Sequence, residues 1–141
     1  MSTALPRIRT LIVEDAAIWR DRLRRLFAEH PEFEIVGEAA SLAEATILAA
    51  TARPDAVTID IRLPDGSGLE LLQALETMPR RPVAVVVTGT DDAMLRSRCV
   101  ALGAVAVIDK AGPVALAPGM LARRLGVDLS ADRPTADESP A

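Results

Sequence analysis

Four short runs of branched apolar residues recur along the chain, and each ends on a side chain that can do chemistry. Continuous runs of this kind are typical of parallel strands that are buried on both faces. In an open α/β sheet, the ligand crevice lies beyond the carboxyl ends of the strands. We therefore expect one pocket lined by the residues at the four strand ends: Glu14 with Asp15, Asp60, Thr88 and Lys110.

Helical patterns lie between these runs. Ser41, followed three residues later by Glu44, is a capping-box pattern that predicts the start of a second helix. A fourth helix is expected over about residues 91–102, with an Asp near its N-terminus and Gly103 just beyond its end. This alternation of strands and helices predicts a parallel sheet with helices on both faces.

Composition limits the classes of protein that this chain can represent. Its 141 residues are most simply one domain, and the net charge of -4 gives no sign of the basic surface that nucleic-acid binding needs. No apolar run approaches the roughly 20 residues of a membrane span. Residues 1–9 lack a signal-peptide pattern, so we expect a cytoplasmic protein. The polar, acidic residues 127–141 predict a disordered tail after a domain that occupies 1–126.

The residues at the strand ends, in this order, resemble the receiver domain of two-component response regulators. The resemblance rests on the acidic pair Glu14-Asp15, the acceptor stretch 60–68, Thr88-Gly89 and the lysine that ends the fifth strand, and it spans residues 7 to about 126. It implies a doubly wound, flavodoxin-like five-stranded sheet in the order 2-1-3-4-5. It also implies a stand-alone phospho-acceptor that is not an enzyme acting on other molecules.

The resemblance also implies a chemistry for the site. Asp60 is the expected nucleophile, taking a phosphoryl group from a phosphohistidine on a histidine kinase or phosphotransfer protein. Mg²⁺, or another divalent cation such as Mn²⁺, is the expected cofactor, because clustered carboxylates need a cation and Mg²⁺ prefers oxygen ligands. Its implied ligands are Asp15 and Asp60 directly, Glu14 through water, and the backbone carbonyl of Arg62.

Five residues have further roles by the same resemblance. Thr88, Gly89 and Lys110 are expected to bind the phosphoryl group, and Arg62 and Thr90 to tune the lifetime of the acyl phosphate. Each side chain also has an ordinary interpretation as a helix cap, a turn residue or a solvated charge. However, Lys110 is the single lysine beside fifteen arginines, which indicates that a compact ammonium is needed there.

Two features depart from the family pattern. Val107 stands where the family usually has an aromatic switch residue, so switching by ring rotation is not expected. Pro118-Gly119 falls where a continuous fifth helix would run, which predicts a kink or a helix that starts near Pro118. The leading hypothesis is therefore a receiver with intact acceptor chemistry and an unusual output, signalling to an unknown protein or a second copy of itself, without binding DNA or a membrane.

Two other functions stay open. The first is a phosphorylation-independent interaction or dimerisation module with the receiver fold, which Val107 and the interrupted fifth helix favour. The second is a phosphohydrolase with an aspartate nucleophile, or a flavin binder of the same topology. Arg62 stands where the hydrolase needs a second carboxylate, and the loop after the first strand lacks phosphate-binding glycines, which disfavours both.

Overall fold

The computed structural model describes residues 7–90 and 92–130. Five parallel strands form one sheet in the order β2-β1-β3-β4-β5, as predicted. Their bounds are β1 Ile8–Val13, β2 Phe33–Ala39, β3 Ala56–Ile59, β4 Val83–Thr88 and β5 Ala106–Asp109. The helices that connect and follow them are α1 Ala17–Ala28, α2 Leu42–Thr51, α3 Gly68–Glu76, α4 Ala93–Ala101 and α5 Ala117–Arg124.

Two apolar layers hold the helices to the sheet. Phe27 of α1 and Leu121 of α5 are fully buried against one face, together with Val85 of β4. The other face packs against α2, α3 and α4, where Leu72 and Cys99 are buried. Successive strand residues point to opposite faces, so a strand covered on both sides must be apolar at nearly every position. The continuous apolar runs of the sequence have this cause.

Local signals in the sequence set the helix ends. Ser41 accepts a hydrogen bond from the backbone N–H of Glu44 at 3.1 Å, and Asp92 caps α4 in the same way. Gly103 follows α4 with a positive φ of 98°. The helix α5 begins at Ala117, after a single 3₁₀ turn, with Pro118 in its first turn. The predicted start near Pro118 is confirmed, since a proline fits the first turn, where no backbone N–H is needed.

The chain packs on the domain beyond the predicted boundary at residue 126. Leu129 is buried in the same apolar layer as α5, and Ser130 donates from its backbone N–H to Glu32 at 2.9 Å. The hydroxyl of Ser130 also donates to Glu32, and this hydrogen bond, with the backbone one, lowers the pKa of Glu32. Residues 127–130 therefore belong to the packed domain, because Leu129 reaches the core and Val127 packs partly buried against the same layer. The rest of the expected tail, 131–141, lies outside the described residues.

Within residues 7–90 and 92–130, no helix has the length and apolar character needed to cross a lipid bilayer.

Candidate functional site

The ends of the strands carry the predicted site residues in continuation of the sheet. The backbone N–H of Glu14 donates to Ala39 at 2.9 Å, and that of Asp60 donates to Val13 at 3.0 Å. On the other side, the backbone N–H of Lys110 donates to Thr88 at 3.0 Å. Because each residue is still tied to a neighbouring strand, the sheet itself determines where these side chains lie.

Three carboxylates meet at this edge. Glu14, Asp15 and Asp60 each offer an oxygen, and these oxygens lie within 4.8 Å of one another. Glu14 and Asp60 are buried, whereas Asp15 is exposed. The carboxylate of Glu14 also accepts a hydrogen bond from the backbone N–H of Ala16 at 2.9 Å. The predicted acidic group is therefore brought together in space.

Lys110 is the counter-charge of this group. Its Nζ lies 2.9 Å from Oδ2 of Asp60 with hydrogen-bond geometry, and 2.6 Å from Oε1 of Glu14 as an ion pair without that alignment. Burial raises the pKa of Glu14 even though Lys110 opposes the shift. Burial alone would lower the pKa of Lys110, but the two carboxylates outweigh it and the pKa is raised. Lys110 is therefore a charged ammonium at neutral pH.

The remaining predicted residues surround this centre. Thr88 is buried at the end of β4, and its hydroxyl accepts a hydrogen bond from the backbone N–H of Thr90 at 3.3 Å. Gly89 is exposed, and a Cβ built there would meet only Cδ of Lys110, at 3.9 Å. The site is therefore open beside the lysine. Arg62 is exposed, and its backbone N–H lies 3.3 Å from Oδ1 of Asp60.

Val107, at the departure from the family pattern, is buried on β5. Its carbonyl oxygen accepts a hydrogen bond from the guanidinium of Arg96 on α4 at 2.6 Å. A charged donor makes this a strong hydrogen bond. At this position α4 and β5 are therefore joined by a hydrogen bond from a side chain to a backbone oxygen. No sequence motif indicated this contact.

Arg20, which the sequence analysis did not single out, binds the backbone of the acidic pair Glu14-Asp15. Its guanidinium donates to the backbone carbonyls of Glu14 at 2.9 Å and of Asp15 at 2.8 Å. These hydrogen bonds fix the backbone between β1 and α1, and with it the direction of both carboxylates. The only signal in the sequence is an arginine one turn along α1.

Two close contacts shape the loop that carries Asp60. Between β3 and α3 the chain makes a short antiparallel hairpin, in which Arg62 pairs with Ser67. No sequence pattern predicts this hairpin, because strands of two residues have no periodicity. The carboxylate of Asp65 accepts from the backbone N–H groups of Leu42 at 2.7 Å and Ala43 at 2.9 Å. The loop is thereby tied to the N-terminus of α2.

This attachment predicts a pH-dependent loss of stability in Asp65→Asn. The backbone N–H groups of Ala43 and Leu42 lower the pKa of Asp65, so its contribution is complete above the ordinary Asp range of about 3.9. It is lost as the pH falls through the lowered pKa. We expect the variant to unfold at a lower denaturant concentration than wild type near neutral pH. The difference should begin to shrink below about pH 4 and should vanish once the pH is below the lowered pKa of Asp65.

Denaturation followed by circular dichroism over this pH range measures the effect. Ser41→Ala is the matched control, since it removes a cap at the same helix end that carries no charge. The loss of stability in Ser41→Ala should persist at acidic pH. A deficit of Asp65→Asn that is equally large at acidic and neutral pH would contradict the ionised cap.

The family model of the response regulator receiver domain matches residues 10–116. The chain belongs to this family. It is 37% identical over 113 residues to a protein-glutamate methylesterase/protein-glutamine glutaminase of Geobacillus kaustophilus, covering 77% of this chain and 32% of that protein. It is 40% identical over 90 residues to the DNA-binding transcriptional activator DevR/DosR of Mycobacterium tuberculosis, covering 62% of this chain and 42% of that protein.

Solved structures agree with this assignment. A two-component response regulator of the LuxR family from Aurantimonas sp. SI85-9A1 superposes with a TM-score of 0.77 at 26% identity, covering 86% of this chain and 87% of that one. The response regulator domain of Thermotoga maritima CheB superposes with a TM-score of 0.74 at 26% identity, covering 86% of this chain and 98% of that one. The chain spans less than half the length of the two curated relatives, from Mycobacterium tuberculosis and Geobacillus kaustophilus.

Proposed function

We propose that the chain is a phospho-acceptor that takes a phosphoryl group from a phosphohistidine partner onto Asp60 and signals through protein contacts. The observation that carries the proposal is the buried carboxylate of Asp60, which lies against Lys110 at 2.9 Å inside a cluster of three carboxylates. A nucleophilic carboxylate beside an ammonium at the carboxyl ends of parallel strands lies where open α/β sheets bind their ligands, which supports the proposal.

The donor set fits a divalent metal. Three carboxylates face one ammonium, so the site carries excess negative charge, and all its donors are oxygens, which Mg²⁺ and Mn²⁺ prefer. Asp15 and Asp60 would hold the ion directly, Glu14 through water, and the carbonyl of Arg62 would complete the set. When bound, the ion supplies positive charge to the oxygens of the transferring group.

The chain's own residues provide the rest of the chemistry. An oxygen of Asp60 forms a bond to phosphorus while the bond from phosphorus to the histidine nitrogen breaks, and the imidazole keeps the electron pair and takes up a proton. Lys110 neutralises charge on the transferring oxygens. The hydroxyl of Thr88 and the backbone beside Gly89 offer donors for the phosphoryl oxygens, which carry a charge of about -1.5 to -2. Arg62 and Thr90 border the product and would tune its lifetime.

Intact-mass measurement after incubation with acetyl phosphate and Mg²⁺ tests this proposal. We expect a labile gain of one phosphoryl group in wild type, and none in Asp60→Asn or in a sample with the metal chelated. Asp65→Asn serves as a matched variant, because it removes a carboxylate five residues away that lies outside the acidic cluster. It should still be phosphorylated.

One observation favours a second function. Arg96 ties α4 to the carbonyl of Val107, where the family usually has a movable aromatic ring, so the helix and strand are joined by a contact that a ring rotation does not release. A receiver fold that serves as a phosphorylation-independent docking or dimerisation module would fit this arrangement. No mass gain in wild type, either from acetyl phosphate or from a cognate phosphohistidine donor, would favour the module over the phospho-acceptor.

A further inference from the structure

The ammonium of Lys110 has a third neighbour besides the two carboxylates. Its Nζ lies 5.0 Å from the ring centroid of Trp19, on the first turns of α1, within the distance at which a cation is attracted to an aromatic face. The guanidinium of Arg22 lies 4.8 Å from the same ring. Trp19 is half-buried, so part of this contact is shielded from water.

Trp19 does not belong to the packed core. Neither of the two apolar layers in the described residues includes it. Trp19 itself is half-buried, and Ile18, the preceding residue of α1, is 77% exposed. The position of the ring is therefore explained by its contacts with the two cations rather than by burial in the core.

During phosphoryl transfer, Lys110 needs a contact that does not depend on the two carboxylates. Resting Lys110 is held by carboxylate oxygens of Glu14 and Asp60. Asp60 loses its negative charge when it becomes an acyl phosphate, and a divalent ion would compete for the same oxygens. An aromatic face holds an ammonium through its quadrupole and does not depend on the charge of Asp60.

We propose that Trp19 is a positioning residue for Lys110, and that its ring keeps the ammonium at the site while the carboxylate contacts are exchanged for phosphoryl oxygens. This inference rests on the proposed phospho-acceptor function. It assigns to α1 an indirect part in the reaction, through the lysine that follows β5. The ring itself touches neither the metal ligands' oxygens nor the phosphoryl group in this role.

The single lysine allows the contact to be measured alone. In protein made with lysine labelled with carbon-13 at Cε, the only lysine side-chain signal comes from Lys110. We expect its Hε protons to be displaced upfield by the ring current in wild type, displaced less in Trp19→Phe, and at the ordinary position in Trp19→Leu. Ile18→Leu is the matched control on the same helix, and its spectrum should equal that of wild type.

A second experiment measures the rate of phosphorylation with acetyl phosphate as donor, and the affinity for Mg²⁺ by calorimetry. We expect Trp19→Leu to be phosphorylated about five- to tenfold more slowly at saturating donor and metal, the factor that corresponds to one partly shielded cation–π contact. Trp19→Phe should be intermediate. Mg²⁺ affinity should be unchanged, and the unfolding midpoint should fall only by the small amount that the loss of one cation–π contact explains. A purely structural role would lower the midpoint and leave the phosphorylation rate of the folded protein unchanged.

The outcomes separate the two proposals. A wild-type rate in Trp19→Leu, or an Hε signal that does not move in that variant, overturns the role of Trp19 while the phospho-acceptor function stands. A wild-type protein that takes up no phosphoryl group from any donor overturns the proposed function and this inference with it.

Discussion

Lys110→Met is expected to slow the phosphorylation of Asp60 by about a hundredfold or more, the usual cost of removing one preorganised donor from a transferring oxyanion. The ammonium lies 2.9 Å from the acceptor carboxylate, and the sheet fixes its backbone through the hydrogen bond to Thr88. Methionine fills a similar volume without the charge. The initial rate of mass gain with acetyl phosphate at saturating Mg²⁺ measures the loss.

The same substitution should also destabilise the fold when metal is chelated. Glu14 is buried and would lose its ion-pair partner, which leaves three neighbouring carboxylates without a cation. We expect the free energy of unfolding to fall by about 1–2 kcal/mol, less than the usual cost of breaking a buried pair, because Glu14 can take up a proton. Added Mg²⁺ should restore most of it, since the ion supplies the missing positive charge.

Lys110→Arg is the control for charge alone. It keeps the positive charge but replaces a compact ammonium with a planar fork that suits different geometry. It should retain more stability than Lys110→Met in chelator while still phosphorylating slowly. Equal phosphorylation rates in wild type and Lys110→Met would show that the lysine takes no part in the transfer.

Gly68→Ala is expected to lower the free energy of unfolding by about 1–3 kcal/mol, the usual cost of overpacking. A Cβ there would lie 2.5 Å from the carbonyl oxygen of Asp60 and 2.7 Å from Cγ2 of Ile59. Gly68 also donates from its backbone N–H to Ile61 at 2.8 Å, so it cannot move away without loosening the loop. Because the new Cβ clashes with the backbone of the acceptor residue, relaxation of the clash must displace Asp60.

This prediction extends to function. Denaturant unfolding gives the loss of stability, and the phosphorylation rate of the folded protein should fall with it, because the acceptor carboxylate has moved relative to Lys110. Gly89→Ala is the matched control for stability, since a Cβ at that exposed position meets only an ordinary contact at 3.9 Å. Its stability should stay within about 0.5 kcal/mol of wild type. Equal stability of both variants would contradict the steric argument.

Sequence patterns predicted the residues of the site, but not the contacts that hold them in position. Asp60 and Lys110 are fifty residues apart, yet each follows a buried run, and parallel strands place their carboxyl ends on one edge. Helix caps such as Ser41 were also readable, because their hydrogen bonds span only three residues. The order of the strands came from the family resemblance, since alternation of strands and helices permits several orders.

The contacts that position the site could not be read in this way. Three contacts join different elements of the fold: Asp65 with the N-terminus of α2, Arg96 with the carbonyl of Val107, and Trp19 with Lys110. Each involves a side chain with several ordinary roles on a surface. Its partner is determined by which elements become neighbours after folding.

The sequence by itself determined the parallel α/β class, the edge at which the functional side chains gather and their chemical types, because hydrophobic periodicity and local capping act over a few residues. The tertiary structure decided which oxygen faces the ammonium of Lys110, which helix end holds the acceptor loop, and that Leu129 closes the core beyond the predicted boundary. These outcomes depend on packing between distant segments, where differences of an ångström select the partner and no local pattern records the choice.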